Sequence, residues 1–168
     1  MESGTRDEKD NNFRGFEGPG WPDQKWLAPY FLTPAGRHEV FGIRNNHWCV
    51  TAEGVDGTED LPFDKRIDIN LHIIGKPDLG VLLLHDRVSA ADGHAYYSLG
   101  NPKMLRTLVM AKQVSLMPVG LFIPFEQALK AVMQFIETDG TLPKCIEWIA
   151  SADLPEGSFP EPEVTLRD

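Results

Sequence analysis

The chain has 168 residues, a formal net charge of −9 and 42% hydrophobic side chains. This length and apolar content fit one domain with a buried core, together with tails. Net negative charge repels phosphate backbones and attracts basic proteins, so nucleic acid is disfavoured as a partner and a basic protein is favoured. The alternative explanation is that acidity only keeps a cytoplasmic protein soluble.

The negative charge lies at the two ends of the chain. Residues 1–65 contain 12 acidic and 7 basic residues, giving −5, and residues 151–168 contain 5 acidic and 1 basic, giving −4. Residues 66–150 contain 8 of each and are neutral. The neutral middle is therefore expected to supply most of the core, and the ends are expected to be solvated.

Residues 1–36 are predicted to be an extended, partly disordered N-terminal segment. Residues 1–12 are polar and lack the apolar stretch of a secretory signal, and no apolar run approaches the length of a membrane span, so a cytoplasmic protein that makes no membrane contact is expected. Residues 13–36 mix glycine and proline with large aromatics, which predicts packing over the domain without much regular structure. The alternative is that Trp21 and Trp26 form part of a binding surface.

The next elements in the chain are predicted to be strands. Residues 38–43 and 48–52 are short apolar segments separated by turn residues, which indicates a hairpin. A polar loop with the densest acidic composition of the chain follows over 53–64. Residues 67–74 alternate apolar with polar, and residues 80–85 form a continuous apolar run, so these two segments predict an antiparallel hairpin.

The second half contains the clearest helix signal. Apolar residues at helical spacing, a proline at the start and a glycine after the end predict a helix over 124–138. Strands are predicted at 94–99 and 144–150, whereas the length of 104–112 allows a helix and its composition favours a strand. Residues 151–168 are predicted to form an acidic, proline-rich tail.

Taken together, these elements predict an α+β fold for residues 37–150. An antiparallel sheet of about five or six strands would pack helix 124–138 on one face. The apolar side of that helix is expected to be core.

Catalytic motifs are weak. The five histidines lack metal-ligand spacing, and no nucleotide-binding or nucleophile-elbow motif occurs. The pair His85-Asp86 would suit a metal-dependent hydrolase, but it ends a predicted strand and has no helical companions. A non-catalytic protein without cofactor or metal is therefore predicted, and the hydrolase is the alternative.

Residues 123–149 follow a pattern of a strand, an apolar-Pro step, a helix ending in Phe, a Thr-Gly turn with proline and a strand carrying Trp. The positions that carry this pattern are Ile123, Pro124, Ala128, Ala131, Phe135, Thr138, Gly140, Pro143 and Trp148. This pattern resembles the closing signature of the most widespread immunity-protein family of bacterial polymorphic toxin systems, which is often paired with deaminase toxins. The hairpin upstream is also similar to the family's sheet, so the resemblance covers about residues 67–150.

The resemblance implies a protein that binds a cognate toxin domain, a deaminase or a nuclease, and inhibits it by occluding its active site. Such toxins act on polyanions and tend to be basic, so an acidic inhibitor complements them. The free protein is expected to be a monomer. A non-catalytic scaffold domain that binds a housekeeping partner remains a further alternative.

Candidate contact residues follow from charge and from loop position. Acidic loop residues would meet the basic partner, and an exposed aromatic would anchor the interface. The predicted contacts are Glu53, Asp56, Glu59, Asp60, Asp86, Asp92, Trp26 and Tyr97.

Overall fold

The computed structural model describes residues 10–11, 24–42, 47–90, 92–111 and 115–160. Its main feature is a seven-stranded antiparallel sheet. The strands are β1 (Asp10–Asn11), β2 (His47–Ala52), β3 (Asp68–Lys76), β4 (Gly80–Val88), β5 (His94–Ser98), β8 (Phe122–Ile123) and β9 (Trp148–Ala150). Six of them follow the order β1-β2-β3-β4-β5-β9, and β8 pairs with β4. The α+β prediction is confirmed.

The predicted central hairpin forms between β3 and β4. The register places Ile74 opposite Leu82, and a tight turn joins Lys76 to Gly80. Gly80 has φ +141°, and a Cβ at this position would lie 2.3 Å from the carbonyl oxygen of Ile123. Only glycine therefore fits where β8 approaches the start of β4.

Helix α3 (Phe125–Glu137) confirms the predicted helix to within one residue at each end. Its apolar side is buried, including Leu129, Val132 and Phe135. These side chains join the first core cluster with Leu71 and other residues of the sheet. The other face of the sheet carries a smaller cluster. A second, two-stranded sheet consists of β6 (Leu108–Met110) and β7 (Leu116–Pro118). Met117 of β7 belongs to this smaller cluster together with Leu82 and Phe122.

Two helices replace the extended structure that was predicted near the N-terminus. Helix α1 (Gln24–Leu32) and helix α2 (Pro34–Phe41) are observed. The prediction of an extended segment is therefore wrong over residues 24–36, and the strand predicted at 38–43 is wrong over residues 38–42, since residue 43 lies outside the described residues. The cap explains α2, because the Thr33 side chain accepts a hydrogen bond from the Gly36 amide at 3.0 Å and proline begins the helix.

Aromatic packing fixes these helices on the domain, as the sequence indicated for this segment. Phe31 of α1 and Phe41 of α2 are buried, and their ring centroids lie 5.7 Å apart. The Phe125 ring of α3 lies 6.4 Å from Phe31 and 5.7 Å from Phe41. Because residues 34–41 form α2, they do not supply a strand partner for β2, and β2 pairs with β3.

Other boundaries also differ from the predictions. Residues 144–147 are not strand, because the Gln134 side chain of α3 accepts hydrogen bonds from the amides of Lys144 and Cys145. The last predicted strand therefore shortens to β9, and Cys145 is exposed.

The ambiguous segment 104–112 contains the short strand β6. Phe159 stacks on Tyr97 at 4.9 Å, so the described start of the tail contacts the domain. The division of the chain into three parts stays a prediction.

Candidate functional site

The acidic loop, residues 53–67 between β2 and β3, is held in place by its own polar groups. The Thr58 hydroxyl donates to the carbonyl of Val55 at 2.7 Å and accepts from the amide of Ile67 at 3.0 Å. The amide of Gly54 donates to Asp68 at 2.9 Å. Thr58 is buried, so these bonds form away from bulk water. The backbone of the acidic loop is therefore held by hydrogen bonds within the loop and to Asp68.

Arg87 of β4 joins the acidic loop to the loop before β5. Its guanidinium lies 3.3 Å from the Asp56 carboxylate and 3.5 Å from that of Asp92. Both carboxylates are mostly exposed, at 68% and 64%. A hydrogen bond from the Ser89 side chain lowers the pKa of Asp92, and the charge of Arg87 lowers it further. Exposed ion pairs contribute little stability, so these two carboxylates remain available to a partner.

Glu53 and Glu59 lie closer to the base of the acidic loop. Arg66 contacts Glu53 at 3.8 Å and forms a shorter contact with Asp68 at 3.0 Å. The Oε2 atom of Glu59 is buried and has no hydrogen-bond partner. One oxygen of the Glu59 carboxylate is therefore buried without a compensating hydrogen bond.

A groove of about 600 Å³ runs beside the acidic loop. The loop forms one wall, and the turn after α3 over residues 138–142 forms the other. His85, Arg87 and His94 of the sheet line it between these walls. The groove therefore lies where the acidic loop, the sheet and the turn after α3 meet.

His85 joins the sheet to the turn after α3. Its side chain is 3% exposed, and its Nε2 lies 2.8 Å from the carbonyl oxygen of Gly140. The rings of Phe135 and Trp148 contact it edge-on at 5.8 and 6.2 Å. Burial lowers the pKa of His85. The ring is therefore neutral at physiological pH, and its first role is structural.

The geometry opposes a hydrolase site at His85-Asp86. Strand β4 continues through both residues to Val88, so the sequence prediction that it ends at His85 is wrong. Adjacent strand residues point to opposite faces, so the two side chains cannot hold one metal ion. Among the residues that the structure describes, no group of three or more His, Cys, Asp or Glu could hold a metal ion.

The predicted contact residues separate into two sets. Glu53, Asp56 and Glu59 line the groove, and Asp92 is tied to it through Arg87. Asp60 is exposed on the same loop but does not line the groove.

The other predicted contacts lie elsewhere. Asp86 lies on the opposite face of β4 from Arg87, because neighbouring strand residues alternate. The ring centroids of Trp26 and Tyr30 lie 5.2 Å apart, and Trp26 also packs against the first core cluster. Tyr97 stacks on Phe159. Neither aromatic lines the groove.

Two apolar residues on the acidic loop, Leu61 and Phe63, were not among the predicted contact residues. Phe63 is 78% exposed and Leu61 is 44% exposed. The Arg66 guanidinium lies 5.5 Å from the centre of the Phe63 ring. The signal that could have found them is a Leu-Pro-Phe step inside a polar, acidic stretch, because large apolar residues on a solvated loop mark interaction sites.

None of the described helices is long and apolar enough to cross a bilayer. Comparison with curated proteins and with solved structures gives no significant match. The family model described as "Immunity protein Imm1" matches residues 39–150, about two thirds of the chain.

Proposed function

The chain belongs to the Imm1 family of immunity proteins, and we propose that it binds a cognate bacterial toxin domain and inhibits it by occluding the toxin's active site. The toxin is a deaminase or a nuclease, as the sequence resemblance implies. The immunity protein acts as a non-catalytic, cytoplasmic monomer that needs no cofactor.

The acidic loop is the observation that carries this proposal. It combines exposed carboxylates at Asp56 and Asp60 with the exposed ring of Phe63. Interfaces take most of their affinity from a few apolar or aromatic anchors surrounded by polar groups. Charge around such an anchor mainly sets the association rate and the choice of partner. The loop offers both kinds of contact on one surface.

Charge complementarity supports a toxin that acts on nucleic acid. An enzyme that binds a polyanion carries lysine and arginine at its substrate site. A protein with a net charge of −9 is attracted to that site, and its acidic loop matches the charge that nucleic acid would present. Covering the substrate site then excludes the substrate directly.

Co-expression tests the proposal. The toxin domain encoded by the gene upstream is expressed in a host with and without this protein, and the purified toxin is assayed on its nucleic acid substrate with increasing amounts of it. Survival of the host and stoichiometric loss of toxin activity are expected. A toxin that stays active at excess immunity protein would overturn the proposal and favour the scaffold alternative.

A further inference from the structure

Glu59 and His85, two residues that line the groove, each contain a buried hydrogen-bond acceptor without a donor. These acceptors are the Oε2 atom of Glu59 and the Nδ1 atom of His85. Neither atom has a hydrogen-bond partner in the described structure. Buried polar atoms usually have a hydrogen-bond partner, because a missing partner destabilises the folded state. Two such atoms in one groove point to a donor that arrives from outside the chain.

The hydrogen bond to Gly140 determines which nitrogen of the His85 ring carries the hydrogen. The carbonyl oxygen of Gly140 can only accept, so the Nε2 atom 2.8 Å from it carries the hydrogen. A neutral imidazole has one hydrogen, so Nδ1 presents a bare lone pair. Because His85 is 3% exposed, this acceptor is removed from bulk water.

The charges around the groove select a cation. Among the described residues that line it, Glu53, Asp56, Glu59 and Asp139 are acidic, and Arg87 is the one lysine or arginine. Arg66 lies outside this lining but contacts Glu53 at 3.8 Å. The four carboxylates exceed the two guanidinium groups, so a cation is attracted and an anion is repelled.

We propose that this groove receives a basic side chain, lysine or arginine, from the toxin domain. The inference rests on the proposed function and names the chemistry of the contact. The incoming group donates hydrogen bonds to Glu59 Oε2 and His85 Nδ1 and offsets the excess negative charge. Side chains at an interface commonly change rotamer on binding, and such a change gives the incoming lysine or arginine access to these buried atoms.

The test compares an acidic residue that lines the groove with one in the turn between β3 and β4. Glu59→Gln removes a charge from the groove, and Asp78→Asn removes one from a side chain that is 77% exposed and lies outside both the groove and the acidic loop. Affinity for the toxin domain encoded upstream is measured by calorimetry for the full chain and both variants, with thermal unfolding as a check on folding. Glu59→Gln is expected to bind at least about 10-fold more weakly, and Asp78→Asn less than about threefold more weakly.

A second measurement follows His85 without any substitution. The 15N resonance of its Nδ1 is recorded in the free protein and in the complex, and it should move to lower frequency as the nitrogen becomes a hydrogen-bond acceptor. If the wild-type chain binds but Glu59→Gln has no larger effect on affinity than Asp78→Asn and the Nδ1 resonance stays in place, this inference alone is overturned. If the wild-type chain does not bind, the proposed function fails and this inference fails with it.

Discussion

The Nε2 atom of His85 donates a hydrogen bond to the carbonyl oxygen of Gly140 at 2.8 Å, and this bond joins strand β4 to the turn that ends helix α3. The turn depends on backbone conformations that few residues adopt, since Asp139 has φ +52° and Gly140 has φ +99°. The Gly140 amide also caps the helix through the carbonyl of Phe135 at 2.9 Å. One wall of the groove is therefore fixed by contacts to the sheet and to the helix.

Substituting Gly140 by alanine is expected to destabilise the protein by about 2–3 kcal/mol. A side chain is strained at this φ, and the new Cβ would lie 3.3 Å from the Cβ of Ala52. Urea unfolding measures the change. Gly57→Ala is the control, because Gly57 also has a positive φ of +76° but no atom lies within 4 Å of the added Cβ. This variant should therefore lose only the free energy of backbone strain, about 1 kcal/mol. Equal losses in the two variants would contradict the packing role of Gly140.

His85 should make stability depend on pH. Burial lowers the pKa of the folded-state imidazole below its ordinary 6.5, so the unfolded chain binds a proton more readily than the folded one. The free energy of unfolding should be highest above pH 6.5 and fall as the pH drops below it, by at most about 1.4 kcal/mol per pH unit for this group.

Comparison with His85→Gln isolates this effect from the other histidines, because the glutamine amide can still donate to Gly140 but does not titrate. The difference between the two proteins is measured by urea unfolding at about pH 7.5 and about pH 5.5. The wild-type chain should lose more stability on acidification than the variant. If the unfolding free energies of the two proteins change equally with pH, His85 is not the source of the pH dependence.

Leu129→Ala should cost about 2–5 kcal/mol of unfolding free energy. The side chain is 4% exposed and belongs to the first core cluster, so its removal leaves a cavity between α3 and the sheet. The exposed neighbour Lys130 provides a matched control, since Lys130→Ala should change stability by less than about 0.5 kcal/mol. A small effect of Leu129→Ala in chemical unfolding would mean that α3 does not pack as described.

Phe63→Ala should weaken binding to the toxin domain by about 10-fold or more without lowering thermal stability. The ring is 78% exposed, so it contributes little to folding and offers its area to a partner. Met110→Ala is the control, because Met110 is 50% exposed on β6 and outside the acidic loop. Calorimetric titration of both variants checks this expectation, and an unchanged affinity for Phe63→Ala would remove Phe63 from the interface.

The sequence predicts those parts of the fold that have a regular hydrophobic period. Helix α3 has one apolar side, and strand β3 alternates, so both were predicted closely. Helix α2 was missed because its eight residues are too short for a clear helical period and resemble a strand. Its Thr33-Pro34 start was the available signal.

The groove could be predicted only in part. Loop composition singled out Glu53, Asp56 and Glu59, which the structure places along the groove, and their role as contacts stays a prediction. The sequence did not separate Asp86 from them, because that requires knowing that β4 continues past His85. The bond from His85 to Gly140 joins residues 55 positions apart, so no local pattern reveals it. The same holds for the exposure of Phe63, which depends on how the acidic loop folds on itself.

The central claim is that this chain binds a toxin domain, and calorimetric titration into the C-terminal domain encoded by the upstream gene tests it most directly. We expect one-to-one binding with a dissociation constant of about 1 nM or tighter, equivalent to about −12 kcal/mol. No heat of binding to a folded, active toxin domain would contradict the claim.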